Sequence, residues 1–325
     1  VGPSGSGKST LLKTIAGINV ESDGDILWDG RNLSEDGDLE PNEFGYVPQF
    51  SIAYDELTVE ESIDNAVKLR ILTRGRKELE QISDRIIDQV GLDAIRDSRV
   101  AVLSGGQKRR LGLALEMATN PDLLLCDEVT SGLDPKSEDE IVRLLHKLAK
   151  EQDRIVISVT HSLGNLDLYD SVLVLFAGKV VYHGPPHALT HYFGVGDAED
   201  VYPALAKREP EAWHYSWEKH RDDYYNSMPR MGEGPRQLTE EQEDEKARLA
   251  RGPGMLAQLF VLLGRRWSIF FRDKTQLMLQ IAMLLIFPGV VVLFVPMSKE
   301  KRGIPPPLRA SFEQSNDFIA DAKEM

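Results

Sequence analysis

The stretch Gly2-Pro3-Ser4-Gly5-Ser6-Gly7-Lys8-Ser9-Thr10 has the residue types of a phosphate cradle. Glycines let backbone N–H groups close in on phosphate oxygens, and a helix opening directly afterwards aims its positive N-terminus at the same anion. In this spacing Lys8 reaches the β- and γ-phosphates, and Ser9 offers its hydroxyl to Mg²⁺. A plain Gly/Ser turn shares the composition, but gives no reason for Lys-Ser-Thr to open an apolar helix. Gly2, Ser4, Gly5, Ser6, Gly7, Lys8, Ser9 and Thr10 are therefore expected to hold a nucleoside triphosphate.

Leu123-Leu124-Leu125-Cys126-Asp127-Glu128 is an apolar strand that delivers two carboxylates at its C-terminal end, where open α/β sheets bind ligands. Asp127 is expected to hold Mg²⁺. Glu128 is the candidate general base that polarises the attacking water. Gln49 follows a short strand, so it is placed to sense the γ-phosphate and share the metal. His161 ends another strand and is placed to touch the same phosphate. Alone, a glutamine is a surface residue and a histidine a structural one; the order of all these elements gives both a role.

The elements that must position these groups follow from pattern. A helix runs from Thr10 to Ile18. Asp25 to Trp28 with Asp29-Gly30 reads as strand and turn, and Phe44 to Val47 as a strand ended by Pro48-Gln49. Thr58-Val59-Glu60-Glu61 is a capping box opening a helix to about Arg70. A second helix covers Lys77 to Val90 and stops at Gly91. Leu123 to Cys126 and Ile155 to Val159 are apolar strands separated by a helix from Pro135 to Lys150, with proline in its first turn. Val172 to Phe176 and Lys179 to Tyr182 flank Ala177-Gly178, a hairpin signal. Apolar strands between helices predict a mainly parallel sheet covered on both faces, with the helices after Gln49 forming a separate lobe.

The set Gly2–Thr10, Gln49, Leu103-Ser104-Gly105-Gly106-Gln107, Leu123–Asp127 with Glu128, Ser131-Gly132-Leu133-Asp134 and His161 resembles the nucleotide-binding domain of ABC transporters. The resemblance covers Val1 to His161. It implies an α/β fold, a P-loop NTPase of ABC type with a mixed, mainly parallel sheet and a helical lobe. It also implies ATP and Mg²⁺ as cofactors, and a head-to-tail dimer in which two ATP molecules are sandwiched. Leu103, Ser104, Gly105, Gly106, Gln107 and Asp134 would meet nucleotide across that interface. None of these positions is degenerate, so a homodimer would carry two hydrolytic sites. The family's adenine-stacking aromatic lies upstream of Gly2.

In 325 residues the chain holds one sizeable core plus something smaller. A net charge of −14 argues against nucleic acid as a partner. The single cysteine, Cys126, permits no internal disulfide, as in a reducing compartment. Only Val1 precedes the cradle, where an entering strand is required, and no initiator methionine stands there. The chain therefore reads as part of a longer polypeptide. Domain boundaries are expected at 1–195 for the ATPase, 196–253 for a proline-punctuated connector, and 254–274 for an amphipathic helix. A membrane helix is expected at 275–296, then a polar segment at 297–325. Within the connector, Thr239-Glu240-Glu241-Gln242 forms a second capping box, and Trp213-His214-Tyr215-Ser216-Trp217 with Tyr224-Tyr225 reads as packing on the ATPase rather than a ligand site.

Met255 to Phe271 carries Leu256, Leu259, Phe260, Leu263, Trp267 and Phe270 at helical spacing, with Gln258, Arg265 and Arg272 on another face. This suits a helix along a membrane surface, or an amphipathic helix packed on a soluble core. Leu277 to Val295 is apolar except for Gln280 and Pro288-Gly289, about the length that crosses a bilayer. Pro288 is expected to kink it. A buried core helix is the competing reading. The order of motor, connector, amphipathic helix and span is similar to G-subfamily ABC half-transporters and their bacterial relatives, which implies a second half-transporter (the same or different), membrane lipid and a transported hydrophobic or lipid-like molecule as partners. That places the protein in a membrane with its ATPase in the cytoplasm. The polar stretch with Pro305-Pro306-Pro307 departs from the short turn usual there. Two rivals remain, a soluble ABC ATPase of DNA repair or translation and an ABC importer ATPase.

Overall fold

A computed structural model describes residues 1–37, 39–50, 52–151, 154–228, 248 and 252–299. The expected capping box at Thr239–Gln242 and the segment around Pro305–Pro307 lie outside the described residues. Contacts divide the chain into one compact unit, Val1–Arg266, and a second beginning at Trp267.

The first unit is built on strands β3 (Phe44–Val47), β4 (Leu123–Asp127) and β5 (Ile155–Val159), all parallel in the order β3-β4-β5. All five β4 residues are buried, which is why this run reads as continuously apolar: both faces are covered. Helix α1 (Lys8–Ile15) packs on one face, with Leu12 and Ala16 against Leu123, Leu125 and Val159. On the other face lie α5 (Gly105–Glu116) and α6 (Pro135–Glu151). They share a core cluster with Val47, Leu124 and Cys126 and with the helical lobe, α3 (Val59–Arg70) and α4 (Arg76–Val90).

Local chemistry sets the boundaries. Thr58 accepts from Glu61 N at 3.1 Å while Glu61 accepts from Thr58 N at 3.0 Å, so the capping box opens α3 as expected. Gly91, at φ 67°, ends α4 in the left-handed conformation that a side chain would resist. Strands β1 (Leu27–Trp28) and β2 (Arg31–Asn32) pair across Asp29-Gly30 and lead into the single turn α2 (Leu33–Asp36). The Gly2-to-Thr10 loop yields to helix two residues earlier than expected, at Lys8, which puts Lys8 and Ser9 in the first turn.

The hairpin β6 (Val172–Phe176) and β7 (Lys179–Gly184) turns at Ala177-Gly178 with φ 48° and 79°, the doubly positive pair that matches strand twist. On it pack α7 (Leu189–Phe193), α8 (Val201–Leu205) and α9 (Pro210–Tyr225). The part of the expected connector from Val201 to Tyr225 is thus largely helical, with Trp213 5% and Trp217 1% exposed. Trp213, Trp217 and Tyr224 pack as expected, whereas Tyr215 is 75% exposed; Tyr182 lies 5.5 Å from both Trp217 and Tyr224, ring centre to ring centre. Burying one such ring stabilises by about 3 kcal/mol.

Helix α10 (Met255–Arg272) is followed after Asp273 by α11 (Lys274–Lys299). Asp273 Oδ1 accepts from Gln276 N at 3.0 Å, a cap that starts the new helix. Residues 274–292 of α11 have a mean hydropathy of 2.0, none of them buried. Among the described residues this is the one helix long and apolar enough to cross a membrane. Pro288 lies inside α11, which runs continuously through it.

Candidate active site

The phosphate loop closes on itself around Lys8. Lys8 is 6% exposed, and its ammonium donates to Gly2 O at 2.9 Å and Pro3 O at 2.8 Å. Burial lowers the pKa of Lys8, opposed by the charges of Glu128 and Asp127. Gly2 is required sterically, since a Cβ there would lie 2.2 Å from the Leu175 carbonyl oxygen. Gly7, at φ 93°, turns the loop into α1. Ser4, Gly5 and Ser6 complete the loop, with Gly5 at φ 77° and Ser6 Oγ buried without a hydrogen-bond partner. Thr10 follows in the first turn of α1.

Ser9 Oγ donates to Asp127 Oδ1 at 2.8 Å, which joins the first turn of α1 to the end of β4. The other carboxylate oxygen, Oδ2, accepts from Tyr46 of β3 at 3.1 Å. Burial, then the charge of Asp127, pushes the Tyr46 phenol up to about 12, so it stays a donor at neutral pH. A hydroxyl and a carboxylate side by side are the hard oxygen donors that Mg²⁺ takes when phosphates and water complete its shell. The residues therefore fit the cation, although no cluster of three or more acidic, His or Cys side chains occurs among the described residues.

Glu128 stands just past β4 at φ 52°, a left-handed conformation rare outside glycine. Its N–H donates to Val159 O at 3.1 Å, fixing the turn to β5. Each carboxylate oxygen has one partner: Gln49 Nε2 donates to Oε2 at 2.9 Å, and His161 Nε2 lies 2.7 Å from Oε1. Gln49 and His161, 112 positions apart in sequence, thus meet on one base. Tyr202 of α8 donates to the His161 carbonyl at 3.1 Å and steadies that loop.

The Ser104 segment stands apart from these groups. Ser104 is the N-cap of α5, where Gln107 N donates to its Oγ at 3.3 Å and Gln107 Oε1 accepts from Ser104 N at 2.9 Å. Ser104, Gly106 and Gln107 line an open cleft of about 260 Å³ together with Arg110, Ser137 and Glu140. A Cβ on Gly105 would lie 3.2 Å from Leu133, and one on Gly106 would lie 3.4 Å from Ser137. Gly105 thus lets the 131–134 turn, and Gly106 the first turn of α6, pack against the start of α5. Leu103 is buried beneath it. Asp134 accepts from Lys136 N at 3.2 Å and Ser137 N at 3.1 Å, capping α6. A hydrogen bond from the Ser137 side chain, and then these backbone bonds, hold its carboxyl below the usual range.

Reasoning from sequence did not single out Tyr46 or Tyr202. A signal for Tyr46 existed: in a parallel sheet it shares a face with Asp127, but the register was needed to see it. Nothing in the sequence around Tyr202 pointed to His161.

A glycine cradle at a helix start and paired acids at the end of a buried parallel strand define an α/β phosphate-binding ATPase. Residues 1–131 match the model of the ABC transporter family. The match identifies an ABC-type ATPase domain in this part of the chain. The chain is similar to the ABC transporter ATP-binding/permease protein Rv1747 of Mycobacterium tuberculosis, 36% identical over 214 residues, which cover 65% of this chain and 24% of that protein. ABC transporter G family member 13 of Arabidopsis thaliana is 36% identical over 220 residues, 65% of this chain and 31% of its own. The methionine import ATP-binding protein MetN of Burkholderia thailandensis is 35% identical over 226 residues, 65% of each chain. The chain thus spans a quarter to two thirds of the lengths of these relatives.

Proposed function

We propose that this chain is the ATP-hydrolysing part of a half-transporter that exports a hydrophobic or lipid-like substrate across a membrane. The observation that carries the reading is the convergence of Ser9 on Asp127, and of Gln49 and His161 on Glu128, in a chain that continues into the apolar helix α11. In this reading Mg²⁺, when bound, would supply positive charge to offset the negative charge that develops on the transferred phosphoryl group. Ser9 and Asp127 would hold it, with the Gln49 carboxamide oxygen beside them. Lys8 exchanges its loop carbonyls for β- and γ-phosphate oxygens. Glu128 accepts a proton from the water that attacks the γ-phosphorus, while His161 holds that carboxylate in place. The products are ADP and inorganic phosphate.

Exposed Ser104 and Gly105, with half-buried Gly106 and Gln107, supply donors to the nucleotide of a second copy or of a related half-transporter, with Asp134 nearby. A helix N-terminus meeting an anion supports this. Residues 1–195 serve as the ATPase, 196–253 as connector, 254–274 as interfacial helix and 275–296 as the span. Trp267 stacks on Phe271, ring centres 5.5 Å apart, and exposed Leu256, Phe260 and Trp267 favour a lipid surface for that helix. Continuity of motor and span in one chain favours export, and the combined ATP-binding/permease name of one relative fits such a fusion.

The test is ATP-dependent flux in vesicles reconstituted with the full-length protein. Lipophilic substrate leaving the leaflet that faces the ATPase, abolished by Glu128→Gln, supports the reading. A second reading, an import ATPase, draws on the resemblance to MetN; ATP-driven flux toward the ATPase side would establish it and sink export. Release of the full-length protein from membranes by salt alone would sink the exporter reading and favour a soluble ABC ATPase.

A further inference from the structure

We propose that Tyr46 is a positioning residue for the cation site: its phenol fixes the rotation of the Asp127 carboxylate and so sets the affinity for a divalent metal. The inference rests on reading this site as a metal-dependent ATPase. It begins with register. Tyr46 of β3 lies opposite Leu125 of β4, and Asp127 is two residues further on the same face. Two residues of strand advance about 6.6 Å, a span that the length of a tyrosine covers. The Tyr46 ring packs in the cluster that holds Leu12, Leu123 and Leu125, so its direction is fixed by the sheet and by α1.

Two donors from different elements then meet one carboxylate. Ser9 Oγ takes Asp127 Oδ1 at 2.8 Å, and Tyr46 Oη takes Oδ2 at 3.1 Å. The last torsion of an aspartate is broad and roughly two-fold, so one donor alone leaves the carboxylate free to turn. Two donors pin it. The consequence reaches Ser9 as well. A serine hydroxyl that gives its proton to Asp127 turns its lone pairs outward as a metal ligand, and it does so only while Oδ1 stays where it is. Groups that orient a metal's ligands typically change its affinity by about 10-fold or more. The competing explanation is that Tyr46 only fills the core and its hydroxyl merely needs a partner. That role would alter stability and leave metal affinity alone.

Tyr46→Phe separates the two, because it keeps the ring and removes the one oxygen. The experiment uses the full-length protein in the Glu128→Gln background with ATP bound, titrating Mn²⁺ by loss of its free electron-paramagnetic signal. ATP binding in EDTA is measured in parallel, and Asp127→Asn serves as reference. The expected result is about a 10-fold rise in the Mn²⁺ dissociation constant for Tyr46→Phe, with metal-free ATP binding unchanged. Unchanged Mn²⁺ affinity, or an equal loss of metal-free ATP binding, overturns the role of Tyr46 while Asp127→Asn still loses Mn²⁺. If Asp127→Asn binds Mn²⁺ as the parent does, the metal-site reading itself falls and the inference falls with it.

Discussion

His161 Nε2 lies 2.7 Å from Glu128 Oε1, although 32 residues separate them along the chain. The contact exists because β4 and β5 run parallel with Asp127 opposite Val159, so both strand ends open on one site. Two consequences can be measured.

Glu128→Gln keeps the shape and the left-handed turn but removes the base. Turnover of the full-length protein should fall by about 10²–10⁴-fold, while ATP binding persists and nucleotide stays trapped. Steady-state phosphate release compared with retained nucleotide checks this; normal phosphate release would remove Glu128 from the role.

His161→Ala leaves one oxygen of Glu128 without its neighbour. A hydrogen bond to a charged group contributes about 1.5–3 kcal/mol, so kcat should drop roughly 10- to 100-fold with little change in KM. A KM effect with kcat intact would mean that His161 binds substrate rather than holding the base.

Trp217 is 1% exposed and sits in the aromatic cluster on the β6–β7 hairpin. Trp217→Ala should cost about 3–5 kcal/mol of stability. Denaturant melts of the full-length protein, followed by tryptophan emission, give the number. A loss below about 1 kcal/mol, the scale of an ordinary surface change, would show that α9 is not part of this core.

His183 faces Tyr225, ring nitrogen to hydroxyl 3.4 Å, and burial lowers its pKa below the ordinary value. The unfolded chain therefore binds this proton more readily than the folded one. Stability contributed at this site is constant above about pH 6.5 and declines as pH falls from there toward the lowered value. Melting temperatures at pH 7.5 and 5.5 should differ less in His183→Gln than in the parent. An identical difference in both would exclude His183 as a source of acid sensitivity.

Ser104→Ala removes the N-cap of α5 and should cost about 1 kcal/mol even without nucleotide, because the cap acts within one chain. Melting the nucleotide-free protein tests this part alone. An unchanged melting temperature would mean that the cap observed here adds nothing to stability.

The linear sequence determined whatever depends on near neighbours. Glycine spacing, the Thr58 capping box, the stop at Gly91 and the Ala177-Gly178 turn are local statements about backbone freedom, and each appears where expected. The apolar run Leu123 to Leu125 foretold a strand covered on both faces. Gln49 and His161 were legible only through the order of the surrounding motifs. What tertiary structure decided was register and reach. Which oxygen of Glu128 each of them takes, and that Tyr46 completes the Asp127 carboxylate, follow from how β3, β4 and β5 slide past one another. That alignment is set by side chains packing from distant parts of the chain, so no local pattern encodes it. Helices α8 and α9 show the same division: prolines and charges marked the stretch as connector, yet burial of Trp213 and Trp217 against the hairpin folded it. Hydrophobic burial between remote segments outweighs weak local preference.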